Sequence, residues 1–305
     1  MTIKFNFYDI YGFALPGFLL LAVLWVPFGL IDGIWPDAEF SSALVVLIIA
    51  YFLGHILQTV ATNAIPSNFL GGRFPSSVFL DAESTTFSTQ FKQKLATQLH
   101  RAFGLNVYAP ANEMSQAELE IVRRDAFFLA RSALIKNKTI LYAEQFEGLY
   151  ALMRGLSTAF GIGVVYYLGW ASSGLLQFVK TFRFVPPGWW SREGSGLAIL
   201  LGIIIGVAAL VNANRLKYAK PVMVWSLVLA TFAAGYYLGV GRVGISVHRG
   251  QLIAAAVFSF FASERCYAGY KGFAQEFAKA VYRDFSNNEK TAVAQESNAD
   301  NNETE

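Results

Sequence analysis

Charge is what this chain lacks. Asp, Glu, Lys and Arg make up 15% of its 305 residues, and long runs have none at all. Ile10–Ile31, Phe40–Gly72, Gly155–Val179, Gly194–Asn214 and Pro221–Gly241 are uncharged, and Gly250–Ser263 is a shorter run of the same kind. A water-soluble domain does not space its charges so widely, whereas a bilayer core demands about 20 apolar residues per helix. Cysteine is nearly absent too. Cys266 stands alone, which excludes an internal disulfide and a thiolate metal cluster. The three histidines, His55, His100 and His248, have no ligand spacing. The formal charge of +3 is too small to point to nucleic acid. No H-E-x-x-H, G-x-S-x-G, Walker loop or dinucleotide fingerprint occurs. A membrane hydrolase needs polar groups converging at one depth, and no such set can be assembled. No catalytic, cofactor-binding or metal residue is therefore expected.

What is present is apolar surface. Hydrophobic residues make up 54% of the chain, with 27 Phe, which suits a lipid-facing exterior better than a polar pore. Six spans follow: Tyr11–Ile31, Ala43–Ala61, Leu156–Phe178, Gly196–Val211, Val222–Val240 and a short one near Gln251–Ser263. The first does not read as a cleaved signal peptide, because it is long and only Lys4 opposes Asp9 before it. Phe5, Phe7, Tyr8 and Tyr11 form an aromatic anchor at its start. With six spans, all Lys and Arg except Lys180, Arg183, Arg192, Arg242 and Arg249 fall on one side, and the first loop opposite carries only Asp32, Asp37 and Glu39. This is the positive-inside pattern, so both termini are expected in the cytoplasm. Five spans would move Arg265, Lys271, Lys279, Arg283 and Lys290 outside and weaken it. Trp35 and Trp189–Trp190 then read as an outer interfacial belt.

Residues 64–153 carry ordinary soluble chemistry. Phe87, Phe91, Leu95, Leu99 and Phe103 recur every four residues and predict an amphipathic helix over Ser84–Phe103, with Lys92, Lys94, His100 and Arg101 off the stripe and Gly104 as its stop. Ser115-Gln-Ala-Glu118 is a capping box opening a second helix to about Ile135. A third, from about Thr139, has no breaker before the third span. Arg123 and Arg124 are the densest basic point and read as a solvated helix face. After the last span, Tyr270, Phe273, Phe277, Val281 and Phe285 form another stripe that packs on the insert. Residues 286–305 are mostly Asn, Glu, Ala and Ser and predict a disordered tail.

The fold class is therefore all-α: a polytopic helical membrane protein of about six transmembrane helices. Its segments are 1–63 (helices one and two), 64–153 (a small helical cytoplasmic insert), 154–263 (helices three to six), 264–285 (a cytoplasmic amphipathic helix) and 286–305 (the tail).

Two features inside the spans invite a function. His55, Gln58, Thr59 and Asn63 make the end of the second span its most polar surface. His55 could relay protons there. The plainer reading, a neutral imidazole bonded between helices, is favoured because no carboxylate shares its depth. Gly202-Ile-Ile-Ile-Gly206 and Gly235-Tyr-Tyr-Leu-Gly239 fit G-x-x-x-G, for which packing within the chain outweighs dimerisation. A tetrapeptide recurs as Tyr51-Phe-Leu-Gly54, Tyr166-Tyr-Leu-Gly169 and Tyr236-Tyr-Leu-Gly239, and chance in an aromatic-rich sequence accounts for it.

The opening Phe5-Asn-Phe-Tyr8-Asp9-Ile-Tyr-Gly12-Phe-Ala-Leu-Pro16-Gly17, then Tyr51-Phe-Leu-Gly54-His-Ile-Leu-Gln58, and Tyr150-Ala-Leu-Met-Arg154 before the third span resemble a loose group of bacterial multi-spanning membrane proteins of uncharacterised activity. Some of these lie near anti-phage defence genes. The resemblance covers the first half and the final helix, and its four-span pattern has two spans fewer than this chain. It implies a bacterial inner membrane. The expected function is non-enzymatic: a membrane-embedded interaction or effector subunit, with the lipid bilayer, a homo-oligomer or a cytoplasmic protein as partners. The alternative is a small transporter or channel subunit using the His55–Asn63 face.

Overall fold

A computed structural model describes residues 8–36, 40–110, 113–137, 141–173, 192–211, 219–240, 242 and 245–302. Among them every regular element is helical: α1 Leu15–Asp32, α2 Phe40–Ala64, α3 Pro75–Val78, α4 Thr89–Phe103, α5 Gln116–Lys136, α6 Leu141–Ser173, α7 Arg192–Val211, α8 Ala219–Gly239 and α9 Ile245–Asn302. A π-helical stretch, Asp9–Ala14, leads into α1. The chain divides into two compact units. One comprises Met1–Pro66 and Ala151–Gly269, the other Ser67–Tyr150 and Tyr270–Glu305.

Four helical segments are long and apolar enough to cross a membrane: Asp9–Asp32, Ala43–Ala64, Tyr142–Ser173 and Ala219–Gly239. The six expected spans are thus four by this measure. Only Ala198–Ala209 of α7 is strongly apolar, and in α9 the apolar run Gly250–Ser263 is closed in by Arg249, Glu264 and Arg265. The interfacial residues Phe5, Phe7, Lys180, Arg183 and Trp189–Trp190 lie outside the described residues.

The first unit buries a cluster around Tyr166, Tyr167 and Trp170, brings its helices together on small residues and turns rows of large apolar side chains outward. On α2, Ala50, Gly54, Leu57 and Ala61 face in while Leu44, Ile48, Phe52 and Ile56 face out, Phe52 at 67% exposure. α7 turns Gly202, Gly206 and Ala209 inward and Leu201, Ile204 and Val207 outward. α9 begins the same way, with Leu252, Ala256 and Ser259 buried and Val257, Phe258 and Phe261 exposed. Small residues let helix backbones approach, which is how helices pack where lipid supplies no hydrophobic drive between them. At the crossing of α1 and α2, a Cβ on Gly17 would collide with the Ala50 carbonyl, and one on Gly54 with that of Phe13. The α6–α8 crossing repeats the device. A Cβ on Gly169 would meet the Phe232 carbonyl, and one on Gly235 that of Tyr166. The glycines of the first two recurring tetrapeptides, Gly54 and Gly169, thus sit at helix crossings.

The second unit is built the opposite way. Phe79, Leu80, Leu95, Leu99, Phe127, Leu134, Val281 and Phe285 form a conventional buried core. α4 is capped by the Ser88 hydroxyl, which accepts from Phe91 N at 3.2 Å, and it ends at left-handed Gly104. Its start therefore lies later than the apolar stripe suggests, because residues 81–86 fold over it instead. α5 opens on the expected capping box, Glu118 Oε2 accepting from Ser115 N at 2.9 Å. The third insert helix is the start of α6. α9 continues past Ser286 to Asn302, where a disordered tail was expected. Ser286 itself is buried, and its carbonyl accepts from Gln98 Nε2 at 3.1 Å. No Gly or Pro follows to stop the helix, and Ala, Glu, Gln and Lys favour it.

Candidate functional site

Within the first unit, polar chemistry converges on Gln58. Its side chain is 5% exposed and fully used. Nε2 donates to the carbonyls of Gly12 and Ala151, both at 2.7 Å. Oε1 accepts from Arg154 Nη2 at 3.0 Å and Nε at 3.3 Å. The local reason is proline. In an α-helix the Gly12 carbonyl would accept from residue 16, but Pro16 has no N–H to give. Gln58 supplies that donor from another helix. Arg154 is itself buried, and a Cβ on the adjacent Gly155 would stand 2.7 Å from Pro16 Cβ. Three sequence segments, around Gly12, Gln58 and Ala151–Arg154, therefore meet at one amide.

The rest of the expected polar face divides. His55 and Thr59 are exposed on either flank of the buried Gln58, and Asn63 is half-buried. The His55 ring stacks on Phe13, centroids 3.7 Å apart, and meets Tyr51 edge-on at 4.7 Å. Thr59 Oγ1 donates to the His55 carbonyl at 2.9 Å, and Asn63 Nδ2 to that of Thr59 at 2.9 Å. These two side chains satisfy themselves on their own helix. Of His55, Gln58, Thr59 and Asn63, only Gln58 is buried between helices.

The two G-x-x-x-G sequences both pack within the chain. A Cβ on Gly202 would lie 2.7 Å from that of Ala230, and one on Gly206 3.1 Å from Ser226 Oγ, so this pair seats α8. Gly235 faces the α6 backbone and Gly239 faces Ser173. At the end of this crossing, Arg242 pairs with Asp32 and lies over the rings of Phe28 and Trp170, 5.2 and 5.3 Å from their centroids.

The second unit holds an ionic network. Asp81 accepts from Arg73 at 2.6 and 3.0 Å and pairs with Arg123, and Arg73 also pairs with Glu120. Burial pushes the Asp81 carboxyl up, but the hydrogen bond from Arg73 and the charges of Arg73 and Arg123 outweigh it and hold it below the usual carboxylate range. Arg123 is not on a solvated face. It is 4% exposed, donates to the Val107 carbonyl at 3.1 Å and sits 5.7 Å from the Tyr108 ring centroid. Lys92, placed off the stripe, is buried as well. Its ammonium donates to the carbonyls of Asp81 at 2.6 Å, Ala82 at 3.1 Å and Ser84. Its three hydrogens meet three carbonyls of one turn, of which that of Asp81 also accepts from Ser84 N at 3.2 Å.

Comparison with protein-family models, curated proteins and solved structures finds no match.

Proposed function

We propose that the chain is a six-span protein of a bacterial inner membrane, both termini cytoplasmic, acting without catalysis as a membrane-embedded interaction or effector subunit. The first unit lies in the bilayer. The second, residues 67–150 with the following part of α9, lies in the cytoplasm and binds the partner. The observation that carries this reading is the opposed surface chemistry of the two units: one turns long rows of Leu, Ile, Val and Phe outward on α2, α7, α8 and α9, the other buries Phe and Leu under charge. A surface bearing Phe52, Ile56, Trp225, Leu229 and Phe258 together would aggregate in water. The outward rows of α7 and of α9 before Glu264 support counting both as spans despite their short apolar runs. The charge distribution of the loops supports the sidedness.

Reporter fusions test it. Fusions after Glu305 and within residues 104–110 read cytoplasmic, and one near Gly188 reads external. A periplasmic C-terminus overturns the six-span topology, and a periplasmic 104–110 overturns the assignment of the second unit.

A further inference from the structure

α6 and α8 touch closely where Gly169 meets Gly235, and they part toward Ser157 and Val224. The wedge between them, closed behind by α1 and α2, is a cavity of about 400 Å³ within the first unit. That is the scale of small-molecule sites, roughly 300–1,000 Å³. Leu57, Val60, Val165, Leu227 and Thr231 are among its walls. Four hydroxyls line it, those of Ser157, Thr158, Thr231 and Ser263, among walls otherwise of Leu, Ile, Val, Ala and Gly, and three of the four are engaged. Ser263 Oγ donates to the Ser157 carbonyl at 2.8 Å, Ser157 Oγ lies 3.3 Å from Ser263 Oγ, and Thr158 Oγ1 donates to the Arg154 carbonyl at 3.0 Å. Water needs two to four polar partners to be held in such a place, and walls that are mostly aliphatic hold it poorly. An unfilled space lined by aliphatic carbon forfeits its dispersion contacts. The rim includes Ile56, 61% exposed, which belongs to the same outward row as Phe52 on α2, so whatever enters comes from the medium that row faces.

We infer that this wedge is a binding site for one acyl chain of a membrane phospholipid. The glycine crossing makes the site: it fixes the two helices at one end and so opens them at the other. The occupant is recognised by shape and hydrocarbon character alone. The inference rests on the bilayer placement proposed above.

The test uses the full-length protein in phospholipid vesicles that contain a phosphatidylglycerol with a diazirine on one acyl chain, irradiated and mapped by peptide mass spectrometry. Labelling of Leu57, Val60, Leu227 and Thr231 at the cavity walls is expected to exceed that of Trp225 and Leu229 on the outer face by about tenfold, as for a retained rather than an exchanging chain. Val165→Phe with Thr231→Phe fills the wedge and brings wall labelling down to the outer-face level. Equal labelling of wall and outer face in the natural sequence overturns the inference, as does wall labelling that survives the filled variant. Loss of wall label to excess oleate, but not to excess phospholipid, would make the occupant a free fatty acid and overturn the assignment to phospholipid. Absence of label from the outer face as well would instead sink the bilayer placement, so the two failures are distinct. The natural-sequence map decides even where the filled variant does not accumulate.

Discussion

Gln58 and Arg154, 96 residues apart, share a buried hydrogen bond in which the amide oxygen of one accepts from two nitrogens of the other. The same amide spends both its hydrogens on backbone carbonyls, of Gly12 and Ala151. One side chain therefore ties the π-helical lead into α1, the latter part of α2 and the body of α6.

Gln58→Leu is expected to lower the thermal stability of the detergent-solubilised protein by about 1–2 kcal/mol, the range of interhelical hydrogen bonds in membranes. Gln58→Glu keeps an acceptor for Arg154 but loses both donors, and it should fall between. Melting followed by size-exclusion chromatography measures this. A Leu variant as stable as the natural protein would show that the amide only fills space.

Gly235→Leu tests the crossing of α6 and α8. Its side chain would enter the Tyr166 backbone, and α8 must move away. Overpacking typically costs about 1–3 kcal/mol, and contact with backbone rather than a movable side chain puts this case at the upper end. Leu229→Ile, on the exposed face of α8, should be neutral. The same melting assay separates them, and equal stability of the two variants would contradict the close approach.

Much of this arrangement was legible in the sequence, but unevenly. Runs without charge located the apolar helices, because a bilayer penalises charge wherever on the helix it lies. The capping box at Ser115 was legible because its chemistry is local, confined to four residues. Inward faces were not. A helix that is apolar all round has no periodicity to orient it, so Gln58 could not be separated from Thr59 by pattern. One signal was available: Gly12 precedes Pro16 by four, which leaves a carbonyl seeking a donor. The burial of Lys92 and Arg123 is not legible in the sequence, because their partners are carbonyls and a carboxylate in residues 81–84 and 107, which come within reach only once the loops have folded.

Asp81 should give the second unit an acid limb. Its folded pKa is depressed, so the stability it contributes is complete above the unfolded carboxylate value, about 4, and is lost as pH falls through the lower folded value. Asp81→Asn removes that dependence. It also leaves the buried Arg123 short of a charge partner, at a cost of about 2 kcal/mol, below the range for a fully buried pair because Asp81 is partly exposed. Hydrogen exchange of α4 and α5 amides in the full chain, followed from pH 7 downward, reports both effects. An unchanged acid limb in the variant would assign it to other carboxylates.

The last prediction separates an effector from a transporter. Coupled transport of protons or cations normally needs ionisable groups at membrane depth. Here the His55 ring is exposed and stacked on Phe13, apart from the buried Gln58–Arg154 contact. His55→Gln should therefore retain the protein's effect on cells. Leu95 is fully buried in the second unit, and Leu95→Asp places an unpaired carboxylate in that core, enough to unfold it. Phe277, stacked on Tyr150 at 5.7 Å, is a second such position. Gln93→Asp, on the exposed side of α4, controls for added charge. Activity and membrane-fraction abundance are measured together for each variant. Loss of effect in Leu95→Asp and Phe277→Asp at normal abundance, with His55→Gln and Gln93→Asp active, is the expected result. An inactive His55→Gln beside active core variants would place the function in the bilayer and replace the effector reading with a transporter or channel.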